Sequence, residues 1–299
     1  MSKQSGVRRH FIDAVRKAFQ AFGIDVHRYQ PQSTAETDLQ NIFRSCILLR
    51  DYQLYGTQDR DAISFLEFCS RNLTQSHSQL LQDLFVLYAL RGKRDGYFVE
   101  FGATDGVQIN NTVMLERAYG WRGVLAEPAR AWHDALRQNR TCFISTDCVW
   151  SVSGETIEFN QTDDRELSTA HLFSASDSHS SKRLNGERYP VKTISLADLL
   201  QQAGAPSVID YLSIDTEGSE YQILSAFDFG SRDIRIVTVE HNYMPNRELL
   251  YQLLTAHGYV RKFEAFRGGT IGMCANRFVW WGSTYPFCSS VIVNTGLTQ

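Results

Sequence analysis

The sequence predicts an α/β protein whose mostly parallel sheet is covered by helices on both faces, and three observations predict it. From residue 97 onward, short apolar runs alternate with amphipathic stretches, the pattern of strands feeding crossover helices. The first run leads into a glycine turn, Glu100-Phe101-Gly102-Ala103-Thr104-Asp105-Gly106. Later runs end in acids at Glu127, Asp215 and Glu240, which a parallel sheet would gather at the one edge where such sheets bind ligands.

Taken in order, residues 7–29 carry Val7, Phe11, Ala14, Val15, Ala18, Phe19 and Phe22 at helical spacing, flanked by Arg8, Arg9, Arg16 and Lys17. A basic amphipathic helix of this kind suits an anionic membrane surface or a packed interface. Residues 32–58 read as a connector with a short helix. Residues 64–91 read as helical, with Leu80, Leu81, Leu84, Phe85, Leu87 and Tyr88 on one stripe that stops at Gly92. The domain expectation is therefore an N-terminal helical extension and connector over 1–75 and a catalytic domain over 76–290.

Strands are predicted at 97–101, 123–126, 142–145, 156–159, 208–214 and 234–239, with a closing pair around 259–263 and 277–281. Helices are predicted from about Asn111, then at 129–139, 196–202, 219–227 and 247–257. A Ser-, Asp- and His-rich segment over 163–188 interrupts the alternation and reads as a long loop, a lid or binding segment.

Composition narrows the function. A net charge of −3 argues against a nucleic-acid coat, and 43% hydrophobic residues suit a packed globular core. No apolar run approaches the ~18 to 20 residues that span a bilayer, and no secretory leader is recognisable, so a cytoplasmic protein is expected. Cys46, Cys69, Cys142, Cys148, Cys274 and Cys288 form no metal spacing and read as reduced thiols, mostly buried.

The glycine turn lacks the third glycine of the dinucleotide fingerprint, and no Gly-Lys-Ser/Thr follows, which disfavours nicotinamide and triphosphate ligands. Glu100 and Asp105 would repel a pyrophosphate, whereas they suit the amino group and sulfonium of S-adenosylmethionine. Glu127 lies roughly 20 residues past the turn, where a carboxylate accepts ribose hydroxyls. Asp215, Glu240 and His241 fall at the ends of neighbouring strands, with Glu217 and Glu220 at the mouth of the next helix. A hydroxyl nucleophile needs a base, and His241 is the first choice because its pKa lies near operating pH. Asp215 is second, with Glu217 or Glu240 orienting the histidine or the acceptor. Asp215, Glu240 and His241 also suit Mg²⁺ or Mn²⁺, a use the residues leave open.

Together these motifs resemble the FkbM family of methyltransferases over residues 79–281. The carriers are the turn segment 98–106, Asn111-Thr112, Leu115-Glu116, Gly120-Trp121-Arg122-Gly123, Glu127-Pro128, Asp215-Thr216-Glu217-Gly218-Ser219-Glu220 and Val239-Glu240-His241-Asn242. The resemblance implies a class I methyltransferase Rossmann-like fold, seven strands ordered 3-2-1-4-5-7-6 with the last antiparallel. It implies that Glu100, Gly102 and Asp105 face the methionine half of the cofactor, that Glu127 holds the ribose, that Asp147 lies near the adenine amine and that Asp215 lies beside the methyl. Ala103, Asn111, Pro128 and Cys148 belong to the same expected cofactor-binding set. Thr104-Asp105 departs from the Asn of many members. The implied reaction is methyl transfer to a hydroxyl, on a sugar of a surface glycan or glycolipid. The segment 23–29 is similar to the start of bacterial cell-surface glycan enzymes, which implies peripheral contact with the inner membrane face. The alternatives are a catalytically silent interaction module and a nicotinamide-dependent oxidoreductase.

Overall fold

A computed structural model describes residues 35–55, 60–177, 179–240, 246–263 and 270–275. The fold is mixed α/β with two sheets and flanking helices. The chain divides into two units between residues 58 and 59. The first contributes helix α1, Ala35–Tyr55, longer than the short connector helix the sequence suggested. The second holds the rest. The amphipathic helix predicted over 7–29 lies outside the described residues. Among the described residues no helix is long and apolar enough to cross a membrane.

The main sheet contains β1 (Tyr97–Phe101), β2 (Arg122–Ala126), β3 (Phe143–Ser145), β8 (Val208–Ile214), β9 (Asp233–Glu240), β10 (Tyr259–Arg261) and β11 (Thr270–Ala275). Across the sheet they run β10-β11-β9-β8-β1-β2-β3, and β11 is antiparallel to both neighbours. Strand alternation assigns β1 to two cores at once. Val99 and Phe101 face one, with α6 (Leu196–Gln202), α7 (Glu220–Ser225) and α8 (Asn246–Ala256) supplying Leu199, Leu224 and Leu254. Phe98 faces the other, where α2 (Arg60–Asn72), α3 (Gln82–Ala89), α4 (Val113–Tyr119) and α5 (His133–Asn139) supply Phe65, Leu84, Leu115 and Leu136. Being buried on both faces, the central strands read as continuous apolar runs, and the sequence located β1 and β8 to the residue.

Three expectations need correction. The closing strand partner is β11 at Thr270–Ala275, while the segment predicted at 277–281 lies outside the described residues. The helix expected over 64–91 is broken. The chain leaves α2 through a short 3-10 turn and re-enters a helix only at Gln82, with Leu81 in the left-handed region at φ 60°. Asp83, fully buried, organises that break by accepting from Ser76 Oγ at 2.6 Å and the His77 N–H at 2.9 Å. The third concerns the stretch after β3, where a second sheet forms around the strand predicted at 156–159, and the segment expected as a long loop carries short 3-10 turns and a two-residue strand. β4 (Cys148–Trp150), β5 (Thr156–Gln161), β6 (Thr169–Ala170) and β7 (Glu187–Ser195) form this sheet, ordered β4-β7-β5-β6. It packs Phe159, Tyr189 and Val191 on Ala129 and Cys148.

Of the cysteines described, Cys69 and Cys148 are buried, Cys142 is half-buried and Cys46 is exposed, and all are free thiols. Burial pushes the thiols of Cys69, Cys142 and Cys148 up to about 12, which leaves them unreactive.

Candidate active site

The carboxyl ends of β1, β2, β8 and β9 open into a cleft of about 360 Å³, whose opposite wall comes from the second sheet and from Gln79 and Leu80 in the helix break. Gly102 turns the chain away from β1 at φ +74°, and a Cβ there would sit 1.9 Å from the Asp215 carbonyl oxygen. The floor of the cleft therefore depends on a residue with no side chain, because β1 and the turn after β8 pass that close.

Glu127 ends β2 on the cleft wall and is 4% exposed. Its carboxylate accepts from the Thr104 N–H at 2.9 Å and the Ala129 N–H at 2.8 Å. Burial outweighs these bonds and lifts its pKa to about 7, with the nearby Asp215 charge adding to the rise. Asp215 follows β8 and Glu240 ends β9. Burial, and next the Glu240 charge, raise the Asp215 pKa well above the usual range, so Asp215 is the acid that keeps its proton. Glu240 Oε2 is buried and has no hydrogen-bond partner. Glu217 completes the group: one oxygen from each of Asp215, Glu217 and Glu240 lies within 4.8 Å of the others. Hard oxygen donors gathered in this way fit a divalent cation as well as a proton. Burial, with the Asp215 charge next, raises Glu217 to about 8.

The loop joining these acids is built for the purpose. Glu220, 5% exposed, accepts from the Thr216 N–H at 3.1 Å and the Gly218 N–H at 2.9 Å, which fixes the turn between Asp215 and α7. Glu217 within it is held at φ +58°, a conformation costly for a residue with a side chain.

The other predicted residues are distributed differently. Pro128 and Cys148 line the cleft. Glu100 points to the Phe98 side of the sheet, 2% exposed, and its carboxylate accepts from Asn110 Nδ2 and the Asn111 N–H at 2.9 Å each and from Thr112 Oγ1 at 2.5 Å. Asp105 accepts from the Val107 and Gln108 N–H groups at 2.8 Å. Both acids shape the glycine turn and lie off the cleft lining. Ala103 is fully buried in the core, and Asn111 donates to Ser213 Oγ at 2.9 Å. Asp147 borders a separate shallow depression beside Ser153 and Lys192. His241 lies outside the described residues. The reading of the sequence missed Arg183, Trp132, Arg165 and His179. Arg183 bonds to Glu217, while Trp132, Arg165 and His179 line the cleft. Single polar residues in a segment without periodicity carry no signal that would have found them.

The sequence profile described as "Methyltransferase FkbM domain" matches residues 100–265, more than half of the chain, from the carboxyl end of β1 through β10. The protein belongs to the FkbM methyltransferase family. It is an S-adenosylmethionine-dependent methyltransferase. No curated protein matches the chain in sequence. Among solved structures, it is similar to a precorrin-6y C5,15-methyltransferase from Geobacter metallireducens at 10% identity and a TM-score of 0.36, over 64% of this chain and 83% of that one. An O-methyltransferase from Bacillus cereus, solved with S-adenosylhomocysteine, is 14% identical with a TM-score of 0.36, over 77% and 97% of the two chains. A fibrillarin/Nop5p complex gives 13% and 0.31, over 65% and 81%.

The buried acids of this FkbM methyltransferase predict how its ligand-free stability follows pH. Glu127 and Glu217 titrate near 4.5 when unfolded and near 7 and 8 when folded. Between those values the folded state binds more protons than the unfolded, so stability is fullest below about 4.5 on this account and is lost as pH rises toward 8. The thermal midpoint of the free protein is expected to fall across that window. Glu127→Gln and Glu217→Gln together should flatten the slope; an equally steep slope in the double variant would show that other groups set it.

Proposed function

We propose that this protein transfers a methyl group from S-adenosylmethionine to a hydroxyl oxygen, on a sugar of a surface glycan or glycolipid. The observation that carries the transfer site is the gathering of the Asp215, Glu217 and Glu240 carboxyls, one oxygen of each within 4.8 Å of the others, in one cleft with Gly102 and Glu127. The main-sheet order supports a class I methyltransferase fold: counted within that sheet alone, the strands read 3-2-1-4-5-7-6, with strand 7 antiparallel. The catalytic domain is taken as residues 76–290.

S-adenosylmethionine, when bound, supplies an electrophilic methyl on sulfur. Glu127 is the ribose partner in this reading: each oxygen already accepts one backbone N–H, which fixes the carboxylate and leaves its remaining lone pairs for hydroxyl donors. The Asp215–Glu240 pair lies where negative charge favours the sulfonium end. His241, next in sequence to Glu240, is proposed to take the acceptor proton, with the pair as its anionic neighbour. The residues of the cleft align the hydroxyl and exclude water, which is most of what a direct displacement needs.

Calorimetric titration tests the reading. S-adenosylhomocysteine should bind and NAD should not. Glu127→Gln should weaken S-adenosylhomocysteine at least tenfold, as expected for losing charge-assisted bonds of about 1.5 to 3 kcal/mol. Equal affinity in the variant would remove Glu127 from the cofactor site, and NAD binding to the wild type would replace the reading altogether.

A further inference from the structure

The second sheet carries a cation into the acidic end of the cleft. Arg183 lies in the segment between β6 and β7 and is 1% exposed. Its Nε donates to the Leu167 carbonyl at 2.7 Å, Nη1 to Asp177 Oδ1 at 2.7 Å, and Nη2 to Asp177 Oδ2 at 3.1 Å. The remaining contact crosses to the main sheet: Nη2 donates to Glu217 Oε2 at 2.7 Å. Thr169 Oγ1 reinforces the crossing by donating to the Glu217 carbonyl at 3.0 Å.

We propose that Arg183 is a positioning residue, whose guanidinium holds the Glu217 carboxylate against Asp215 and Glu240 at the methyl-transferring end of the cleft. The inference rests on the methyltransferase reading of that cleft. Its physical basis is the geometry of the fork. Asp177 occupies one edge of the guanidinium in a paired contact and balances its charge, so the bond left for Glu217 fixes direction more than it neutralises. Glu217 needs that hold. Its backbone sits at φ +58°, and one of its oxygens lies within 4.8 Å of oxygens from Asp215 and Glu240. A buried ion network contributes little net stability compared with apolar packing of the same volume, so what the network supplies is the placement of Glu217. The second sheet is thereby part of the reacting site and not a loose cover.

The test needs no acceptor. Two ligands are compared: S-adenosylhomocysteine, uncharged at sulfur, and sinefungin, in which a protonated amine stands where the methyl-bearing sulfonium would be. The ratio of their affinities measures the negative field at the transfer point. The wild type is expected to favour sinefungin. Glu217→Gln, and the charge-neutral pair Arg183→Met with Asp177→Asn, should each lower that preference by about tenfold while S-adenosylhomocysteine stays within about twofold. If the Met/Asn pair does not fold, Arg183→Gln with Asp177→Asn keeps a hydrogen-bonded neutral network and is expected to behave the same way. A wild-type preference in either folded pair overturns the proposal, as does an unchanged preference in Glu217→Gln. Failure of the wild type to bind either ligand would instead overturn the methyltransferase assignment of the cleft.

Discussion

His241→Ala is expected to slow methyl transfer by ~10² to 10⁴ while leaving S-adenosylhomocysteine affinity unchanged. A hydroxyl attacks carbon usefully only as its proton leaves, and the group that accepts the proton must titrate near the working pH. Histidine does so without perturbation. Residue 241 follows Glu240, whose carboxyl lies beside that of Asp215 in the cleft, and a carboxylate neighbour raises an imidazole toward neutrality. The wild-type rate should therefore rise with pH through one step near 7, and the step should vanish in the variant. Initial rates across pH, with cofactor saturating, provide the check. Should His241→Ala keep both turnover and the step, the proton goes to the Asp215–Glu240 carboxyls, and Asp215→Asn becomes the variant that loses activity. Abolition of wild-type turnover by a chelator would assign those oxygens to a divalent cation instead.

Gly102→Ala should be the most damaging substitution for folding. A Cβ at this position would lie 1.9 Å from the Asp215 carbonyl oxygen, and the backbone on each side of the contact continues directly from adjacent, paired strands of the sheet. Neither strand can retreat without breaking the pairing of Phe101 with Ile214, so the overlap is relieved only by distorting the sheet edge. The positive φ adds its own penalty for alanine. A loss of at least ~4 kcal/mol is expected, or a thermal midpoint lower by roughly 10 °C. Gly154→Ala is the control, because Gly154 also has a positive φ, +84°, but nothing lies within 4 Å of the added carbon. It should cost only about 1 kcal/mol. Similar losses at both positions would mean that backbone conformation, and not the close approach, makes Gly102 necessary.

The sheet was legible in the sequence because burial on both faces writes itself as uninterrupted apolar runs, and β1 and β8 were read to the residue for that reason. The gathered acids followed from position alone: Glu127, Asp215 and Glu240 each sit just where a strand stops. The glycine turn was harder. Its acids Glu100 and Asp105 looked like cofactor ligands, yet strand alternation sends Glu100 toward the Asn110–Thr112 loop, and Asp105 is spent on two N–H groups of its own turn. Sequence shows an acid near a turn and does not show which way it faces. Of the second sheet only β5 was read, at 156–159, and β7 was missed although it alternates, with Tyr189, Val191 and Thr193 buried between exposed Arg188, Pro190 and Lys192. Pro190 and the polar stretch before it hid that period. Arg183 was out of reach, since only the fold brings it beside Glu217, more than thirty residues along the chain.

The way the second sheet is spliced into the chain has a consequence for how such enzymes diversify. β4 and β7 pair in parallel, Cys148 beside Thr193 and Trp150 beside Ser195, so the excursion that leaves at Trp150 returns at Thr193, on the neighbouring strand and two residues back in register. A segment with neighbouring ends behaves as an exchangeable cassette: its interior can be rebuilt for another acceptor while the strands that carry Glu127, Asp215 and Glu240 stay in register. One constraint travels with it. On the proposed role of Arg183, a replacement cassette has to return a cation to Glu217, and grafts chosen for that contact are expected to keep the site better than grafts chosen for length.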